Sequence, residues 1–213
     1  MHDVAPRREE VANAVTHGLG ILASVLGGGV LLTLAATSGN HWKIVGAAVF
    51  CASLLLLYTA STLYHAARRP HVKARLQVLD HCAIYILIAG SYTPFTLVAL
   101  RGAWGWSLFG VVWGLAVAGV IFKLFCTGRF ERLSTLIYVA MGWLVLVAVG
   151  PMLRALPLST LGWLLAGGLS YTAGTLFYHN RRLPYAHAIW HLFVLAGSTC
   201  HFIAVASQVF PGD

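Results

Sequence analysis

Two histidines stand four residues apart near the end of the chain, in the segment HAIWH, where an apolar run begins. Four residues are about one turn of α-helix, so the imidazoles of His187 and His191 would project from the same helical face. Ionisable side chains are costly inside an apolar membrane segment, and they usually serve a function there. The pair therefore suggests part of a metal site, because neutral imidazoles are common metal ligands.

Three further polar residues lie near the borders of other apolar runs. Ser61 and His65 are four residues apart, and His65 lies three residues before Arg68. Asp80 is the only acidic residue that we expect inside an apolar run, and it follows Arg75 by five residues. At about 1.5 Å of rise per residue, these groups and the HAIWH pair all lie within about 15 Å of the basic residues that border the runs. We therefore expect them to meet at one depth, although they come from three helices.

This set of residues predicts an open metal site. Three neutral imidazoles, from His65, His187 and His191, suit Zn²⁺ with bonds of about 2.0–2.1 Å, and three protein ligands leave a fourth position for water. Asp80 would orient or deprotonate that water, and Ser61 would reach the same point. Two alternatives stay open: iron, which also accepts two histidines and a carboxylate, and a proton relay without a metal.

The composition indicates a membrane protein. Of the 213 residues, 59% are hydrophobic and only 9% are charged, and the mean hydropathy is +0.79. A soluble domain carries about a quarter charged residues. Seven apolar runs each reach the ~20 residues that a helix needs to cross a bilayer. They cover residues 11–36, 42–66, 77–99, 104–125, 133–153, 158–178 and 187–209. We predict an all-α membrane protein whose residues 1–213 form one seven-helix transmembrane domain.

The basic residues predict the orientation of this bundle. Seven spans divide the 14 Lys and Arg residues between two sides of the membrane. One side has Arg7, Arg8, Arg68, Arg69, Lys73, Arg75, Lys123, Arg129, Arg132, Arg181 and Arg182, and the other has only Lys43, Arg101 and Arg154. The positive-inside rule then places the N-terminus in the cytoplasm and the C-terminus outside. Topology and anionic lipid headgroups account for the net charge of +8, so no nucleic-acid partner is expected.

Other polar residues are expected to have structural roles. Glu9 and Glu10 are assigned to the N-terminal tail, and His17 is interpreted as a packing or hydrogen-bonding histidine near the metal-site depth. The four cysteines are scattered through apolar runs without a CxxC pair, which is typical of small core residues and not of a thiolate metal site.

Four separated motifs resemble those of the haemolysin III family, the bacterial members of the progestin and adipoQ receptor superfamily. They are Ser61-x-x-x-His65, Asp80, GSYTP at residues 90–94 and His187-x-x-x-His191. The resemblance extends over nearly the whole chain and implies a seven-helix fold with a zinc ion near the inner leaflet. It implies that His65, His187 and His191 bind zinc, that Asp80 reaches the metal through water, and that Ser61 lies beside them. The compact form, without the long N-terminal region of the animal receptors, fits a prokaryotic inner-membrane protein.

Three functions are compatible with such a site. The first is a zinc-dependent, ceramidase-like hydrolase of lipid amides or esters, with a membrane lipid as substrate and a fatty acid as product. The second is a sensor or regulator of membrane state in which zinc only stabilises the bundle. The third is a pore-forming haemolysin, which we disfavour because a protein with several spans and no secretion signal has no evident route out of its own membrane. The sequence does not distinguish a catalytic from a structural zinc.

Overall fold

Long helices account for almost all of the chain in the computed structural model, which describes residues 6–180 and 182–209. The helices are α1 (Arg7–Thr37), α2 (His41–Ala66), α3 (Pro70–Ala99), α4 (Ala103–Cys126), α5 (Glu131–Ala155), α6 (Leu158–Tyr178) and α7 (Ala186–Val209). Each of the seven predicted apolar runs falls within one of them, so the all-helical class and the number of helices are confirmed. Arg181, which contributed to the charge count, lies outside the described residues.

Six of the seven helices, all except α6, are long and apolar enough to cross a membrane. Helix α6 carries several Gly, Ser, Thr and Tyr residues, which make it less apolar than the others. Its surface nevertheless presents large apolar side chains, with Leu158 exposed by 77% and Leu176 by 74%. A transmembrane position for α6 and the orientation of the termini stay predictions.

The helix ends follow from local sequence chemistry. Gly39 adopts a positive φ of 66° and ends α1, and the side chain of Asn40 accepts a hydrogen bond of 2.9 Å from the backbone N–H of Trp42 to cap α2. Pro70 occupies the first turn of α3, where its missing N–H is not needed. Gly102 turns the chain into α4 with a φ of 134°. These tight turns make consecutive helices antiparallel neighbours.

Two helices depart from regular α geometry, which the apolar pattern did not predict. Helix α3 ends in a π-helical segment, Phe95–Ala99, and α5 contains a 3₁₀ segment, Trp143–Ala148. The hydroxyl of Tyr92 satisfies backbone groups freed by the second irregularity. It donates to the Gly142 carbonyl at 2.6 Å and accepts from the Val145 N–H at 2.9 Å. One side chain of the GSYTP motif thus stabilises a break in the neighbouring helix.

The bundle is built around α2 and α7. Helix α2 packs between α1 and α3, α7 packs against α6 and α1, and α4 packs mainly against α3. Helix α5 contacts its neighbours α3 and α6 only slightly. Small residues allow the closest approaches: a Cβ added at Gly46 of α2 would lie 2.9 Å from the Cα of Pro94. The beginnings of α1, α3 and α7 and the end of α2 therefore meet at one end of the bundle.

Candidate metal centre

Three imidazoles converge at this end of the bundle. His65 lies in the last turn of α2, and His187 and His191 lie in the first two turns of α7. One ring nitrogen from each lies within 4.8 Å of the other two. His65 and His191 are buried, and His187 is half-buried. The structure thus brings together the three histidines that the sequence singled out, and this group could hold a metal ion.

Hydrogen-bond partners on α1 favour one tautomer in two of these rings. His65 Nδ1 lies 2.8 Å from Glu10 Oε2, and His191 Nδ1 lies 3.1 Å from the carbonyl oxygen of Asn13. The carboxylate and the carbonyl oxygen accept, so these contacts favour the tautomers in which Nδ1 carries the proton and donates. The Thr16 hydroxyl, 3.1 Å from His191 Nδ1, can accept as well, whereas the longer contact of 3.4 Å from Asn13 Nδ2 to His65 Nδ1 comes from a donor. The Nε2 lone pairs of both rings are then available to a metal. This is the usual arrangement of metal-bound histidine, in which the second ring nitrogen is held by an oxygen acceptor.

The buried polar atoms also fit a metal ion. His65 Nε2 is buried and has no hydrogen-bond partner among the described residues. A buried polar atom without a partner is costly, and coordination to a cation removes that cost. A ligand set of neutral imidazoles without thiolates suits zinc and also admits iron. The three histidines therefore fit the metal that the family resemblance implies.

Glu10 is a residue of the candidate site that sequence reasoning missed. The assignment of Glu9 and Glu10 to the tail is wrong, because α1 begins at Arg7 and both acids lie in its first turn. Glu10 pairs with His65 and also with Lys73 of α3, whose Nζ lies 3.1 Å from Oε1. The spacing Glu10-x-x-Asn13-x-x-x-His17, which places all three side chains on one helical face, would have revealed it.

His17 packs directly on the metal centre. Its ring stacks on that of His191 with centroids 3.5 Å apart and an interplanar angle of 9°. It also contacts the edge of Tyr58 at 5.1 Å. Neither ring nitrogen of His17 has a hydrogen-bond partner within the described part of the chain. The packing role expected for His17 agrees with this geometry, and its ring holds the His191 imidazole in place from one side.

Ser61 and Asp80 lie beside the histidines on the wall of a large cavity. Ser61 is 1% exposed and Asp80 is 8% exposed. The Asp80 carboxyl interacts electrostatically with His65 and with the Ser61 hydroxyl, although no hydrogen bond of ordinary geometry joins it to Ser61. Asp80 lies outside the group of three possible metal ligands. Its position suits a carboxylate that acts on a molecule near the metal.

The cavity measures about 440 Å³ and continues from the metal centre along α3, α5, α6 and α7. Apart from its polar end, most of its lining is apolar, with leucine, isoleucine and valine side chains from all four helices. Its volume lies in the range of roughly 300–1,000 Å³ that is typical of ligand pockets. His81 and His201 also border this cavity. The shape and lining suit an apolar ligand with one polar end.

Comparison with known proteins identifies the chain's relatives. A model of the family described as haemolysin-III related matches residues 6–202. The chain belongs to the haemolysin III family. It is 46% identical over 204 residues to Hemolysin-3 of Bacillus cereus, which covers 96% of this chain and 93% of that protein.

More distant relatives belong to animals and plants. The haemolysin III chain is 28% identical over 210 residues to the human monocyte to macrophage differentiation factor, covering 95% of this chain and 85% of the relative. It is 30% identical over 151 residues to heptahelical transmembrane protein ADIPOR2 of Oryza sativa subsp. japonica, covering 60% of this chain and 65% of the relative. These matches confirm the resemblance to the progestin and adipoQ receptor superfamily.

Replacing Glu10 with glutamine is expected to weaken metal binding by this haemolysin III protein about 10–100-fold, because His65 loses a charged acceptor at Nδ1. A competition titration of purified protein with a chromophoric zinc chelator measures the change. Glu9→Gln is the matched control, since Glu9 lies in the same first turn and forms no hydrogen bond or ion pair with a histidine among the described residues. Equal losses in the two variants would contradict the role of Glu10.

Proposed function

We propose that this protein is a zinc-dependent hydrolase of lipid amides or esters, ceramidase-like, that acts from the cytoplasmic leaflet of a bacterial inner membrane. One observation carries the proposal. Three imidazoles with room for a metal lie beside a buried carboxylate, Asp80, at the polar end of a large apolar cavity. A purely structural zinc usually has four protein ligands, whereas three ligands and an adjacent acid are typical of a catalytic zinc.

His65, His187 and His191 would hold the ion, and Glu10 and the Asn13 carbonyl would keep His65 and His191 in the ligating tautomer. A bound zinc ion supplies Lewis acidity, which polarises the scissile carbonyl and makes a water molecule a stronger nucleophile at neutral pH. Everything else in the reaction falls to side chains of α2 and α3.

Asp80 is the proposed general base and acid. Its carboxylate takes a proton from the attacking water as the new C–O bond forms. It then gives that proton to the nitrogen or oxygen of the leaving group as the amide or ester bond breaks. Burial among apolar side chains excludes bulk water, so that this proton stays on the reacting groups. Ser61 would donate a hydrogen bond to the developing oxyanion.

The cavity supports a lipid as the substrate. Its apolar lining matches an acyl chain, and its polar end would place the carbonyl of that chain at the metal centre. The slight contacts of α5 with its neighbours offer a lateral path from the bilayer. A fatty acid product would leave by the same path.

A non-catalytic regulator is the second candidate, and one observation favours it. The histidines come from α2 and α7, so a bound ion would tie together two helices that contact each other little elsewhere. A zinc-stabilised sensor of membrane state would use that link without chemistry. The name of the Bacillus cereus relative refers to haemolysis, but a multi-span protein has no evident route to the membrane of another cell.

Lipid hydrolysis by purified protein tests the proposal. Zinc-loaded protein in mixed micelles is expected to release fatty acid from at least one member of a panel of ceramides and glycerophospholipids. Chelation should abolish the release and added zinc should restore it, with mass spectrometry as the readout. Zinc-loaded, folded protein that releases no fatty acid from any member of the panel would contradict hydrolase activity and leave the regulator as the better account.

A further inference from the structure

A second set of polar side chains lies between α3 and α4. His81 and Tyr85 are one helical turn apart on α3, and Gly119 and Lys123 are one turn apart on α4. The two helices are antiparallel, so His81 lies level with Lys123 and Tyr85 lies level with Gly119. The Tyr85 ring occupies the place that a Cβ on residue 119 would need. We call these four residues the α3–α4 seam.

Lys123 is a buried cation that forms no ion pair with an acid in the part of the chain that the structure describes. The sequence interpretation assigned it to the basic side of the membrane, within the run 104–125, and it lies in the last turn of α4 with 1% of its surface exposed. No ion pair joins it to an acid among the described residues. The charge of Glu131 reaches Lys123 electrostatically without forming such a pair. Burying an ammonium group without an anion is strongly unfavourable, so a partner is expected.

Two neighbouring side chains also lack partners. His81 Nδ1 and the Tyr85 hydroxyl are buried and have no hydrogen-bond partner in residues 6–180 and 182–209. The Tyr138 hydroxyl does not satisfy them, because it donates to the backbone carbonyl of His81 at 3.0 Å. An imidazole N–H, a phenol and an ammonium can all donate to the same kind of group, an oxyanion.

We propose that the α3–α4 seam binds the anionic group of a membrane lipid, a phosphate or a carboxylate. Lys123 would neutralise its charge, and His81 and Tyr85 would donate hydrogen bonds to its oxygens. Lys123 lies in the last turn of α4, so a headgroup would approach the seam from this end of the bundle. Exposed Arg129 and Arg132, just beyond the end of α4, would attract anionic headgroups to this part of the surface. The inference does not depend on hydrolase activity or on a bound metal.

Thermal stability of delipidated, detergent-purified protein tests this site. Phosphatidylglycerol and palmitate are added separately, with phosphatidylcholine and inorganic phosphate as comparison probes. At least one of the two anionic lipids is expected to raise the melting temperature of the wild type, and phosphatidylcholine is not. Lys123→Met should bind the anionic lipid about tenfold more weakly, because a charged hydrogen bond is lost. The control variant Lys43→Met, in the first turn of α2, should respond as the wild type does.

The melting temperature of Lys123→Met without lipid shows whether Lys123 serves lipid binding or stabilises the fold. If the Lys123 charge is unpaired until an anion binds, the melting temperature of lipid-free Lys123→Met should equal or exceed that of the lipid-free wild type, because an uncompensated charge has been removed. Tyr85→Phe keeps the ring on Gly119 and should weaken lipid binding several-fold. Equal responses of the wild type to phosphatidylglycerol, palmitate and phosphatidylcholine would overturn the proposal. So would inorganic phosphate that stabilises as well as either lipid, or a Lys123→Met variant that responds to lipid like the wild type.

Discussion

Alanine at position 191 is expected to reduce the zinc content of the purified protein from about one ion per chain to less than a tenth. His191 supplies one of three ligating rings, and two imidazoles alone hold zinc poorly at an open site. Elemental analysis by mass spectrometry after gel filtration measures the change. The melting temperature should fall as well, since an ion present at a thousandfold its dissociation constant stabilises the fold by about 4 kcal/mol.

His71→Ala is the matched control for this experiment. His71 is exposed at the start of α3, near the same end of the bundle, and it belongs to no group of possible ligands among the described residues. Its replacement should leave both the zinc content and the melting temperature unchanged. Full zinc occupancy in His191→Ala would contradict the assignment of the site.

Asparagine at position 80 is expected to reduce lipid hydrolysis at least about 100-fold while the zinc content stays within about twofold of the wild type. Asparagine has the shape of aspartate but cannot accept the proton of the attacking water. Because Asp80 lies outside the three-histidine group, its replacement should affect turnover and not metal loading. Initial rates of fatty acid release, measured beside elemental analysis of the same samples, separate the two effects.

A smaller loss is expected for Ser61→Ala, about tenfold, since one hydrogen bond to the oxyanion disappears and the base is retained. Wild-type rates in Asp80→Asn would exclude Asp80 as the general base. A simultaneous loss of zinc and activity would instead assign Asp80 a role in holding the metal. Comparing the activity with the zinc content of Asp80→Asn therefore distinguishes a role in proton transfer from a role in metal binding.

Matched depth in the membrane explains why the histidines could be predicted from sequence. Long apolar runs fix the axial position of every residue, so His65 and the HAIWH pair could be placed at one level without knowing how the helices pack. The broken geometry of α5 was not predictable in this way. It depends on the Tyr92 hydroxyl, which bonds to backbone groups about fifty residues away in sequence.

The position of Glu10 was predicted wrongly, and the burial of Lys123 was not predicted. Hydropathy assigns a charged residue at the border of an apolar run to the loop, where it would be solvated. Glu10 instead lies in the first turn of α1, where its carboxylate pairs with Lys73 and with the His65 ring. Lys123 lies inside the bundle beside two donors, His81 and Tyr85, that lack acceptors within residues 6–180 and 182–209. In both cases the sequence shows that a charged residue is present, but the groups around it depend on how the helices pack and cannot be predicted from the sequence.

X-ray absorption at the zinc edge of the purified, zinc-loaded protein tests the central claim most directly. We predict a spectrum with three imidazole nitrogens and one oxygen that is not part of an imidazole, all at about 2.0–2.1 Å, and one imidazole fewer in His187→Ala. A spectrum with sulfur neighbours, with four protein ligands, or with no change in His187→Ala would contradict it.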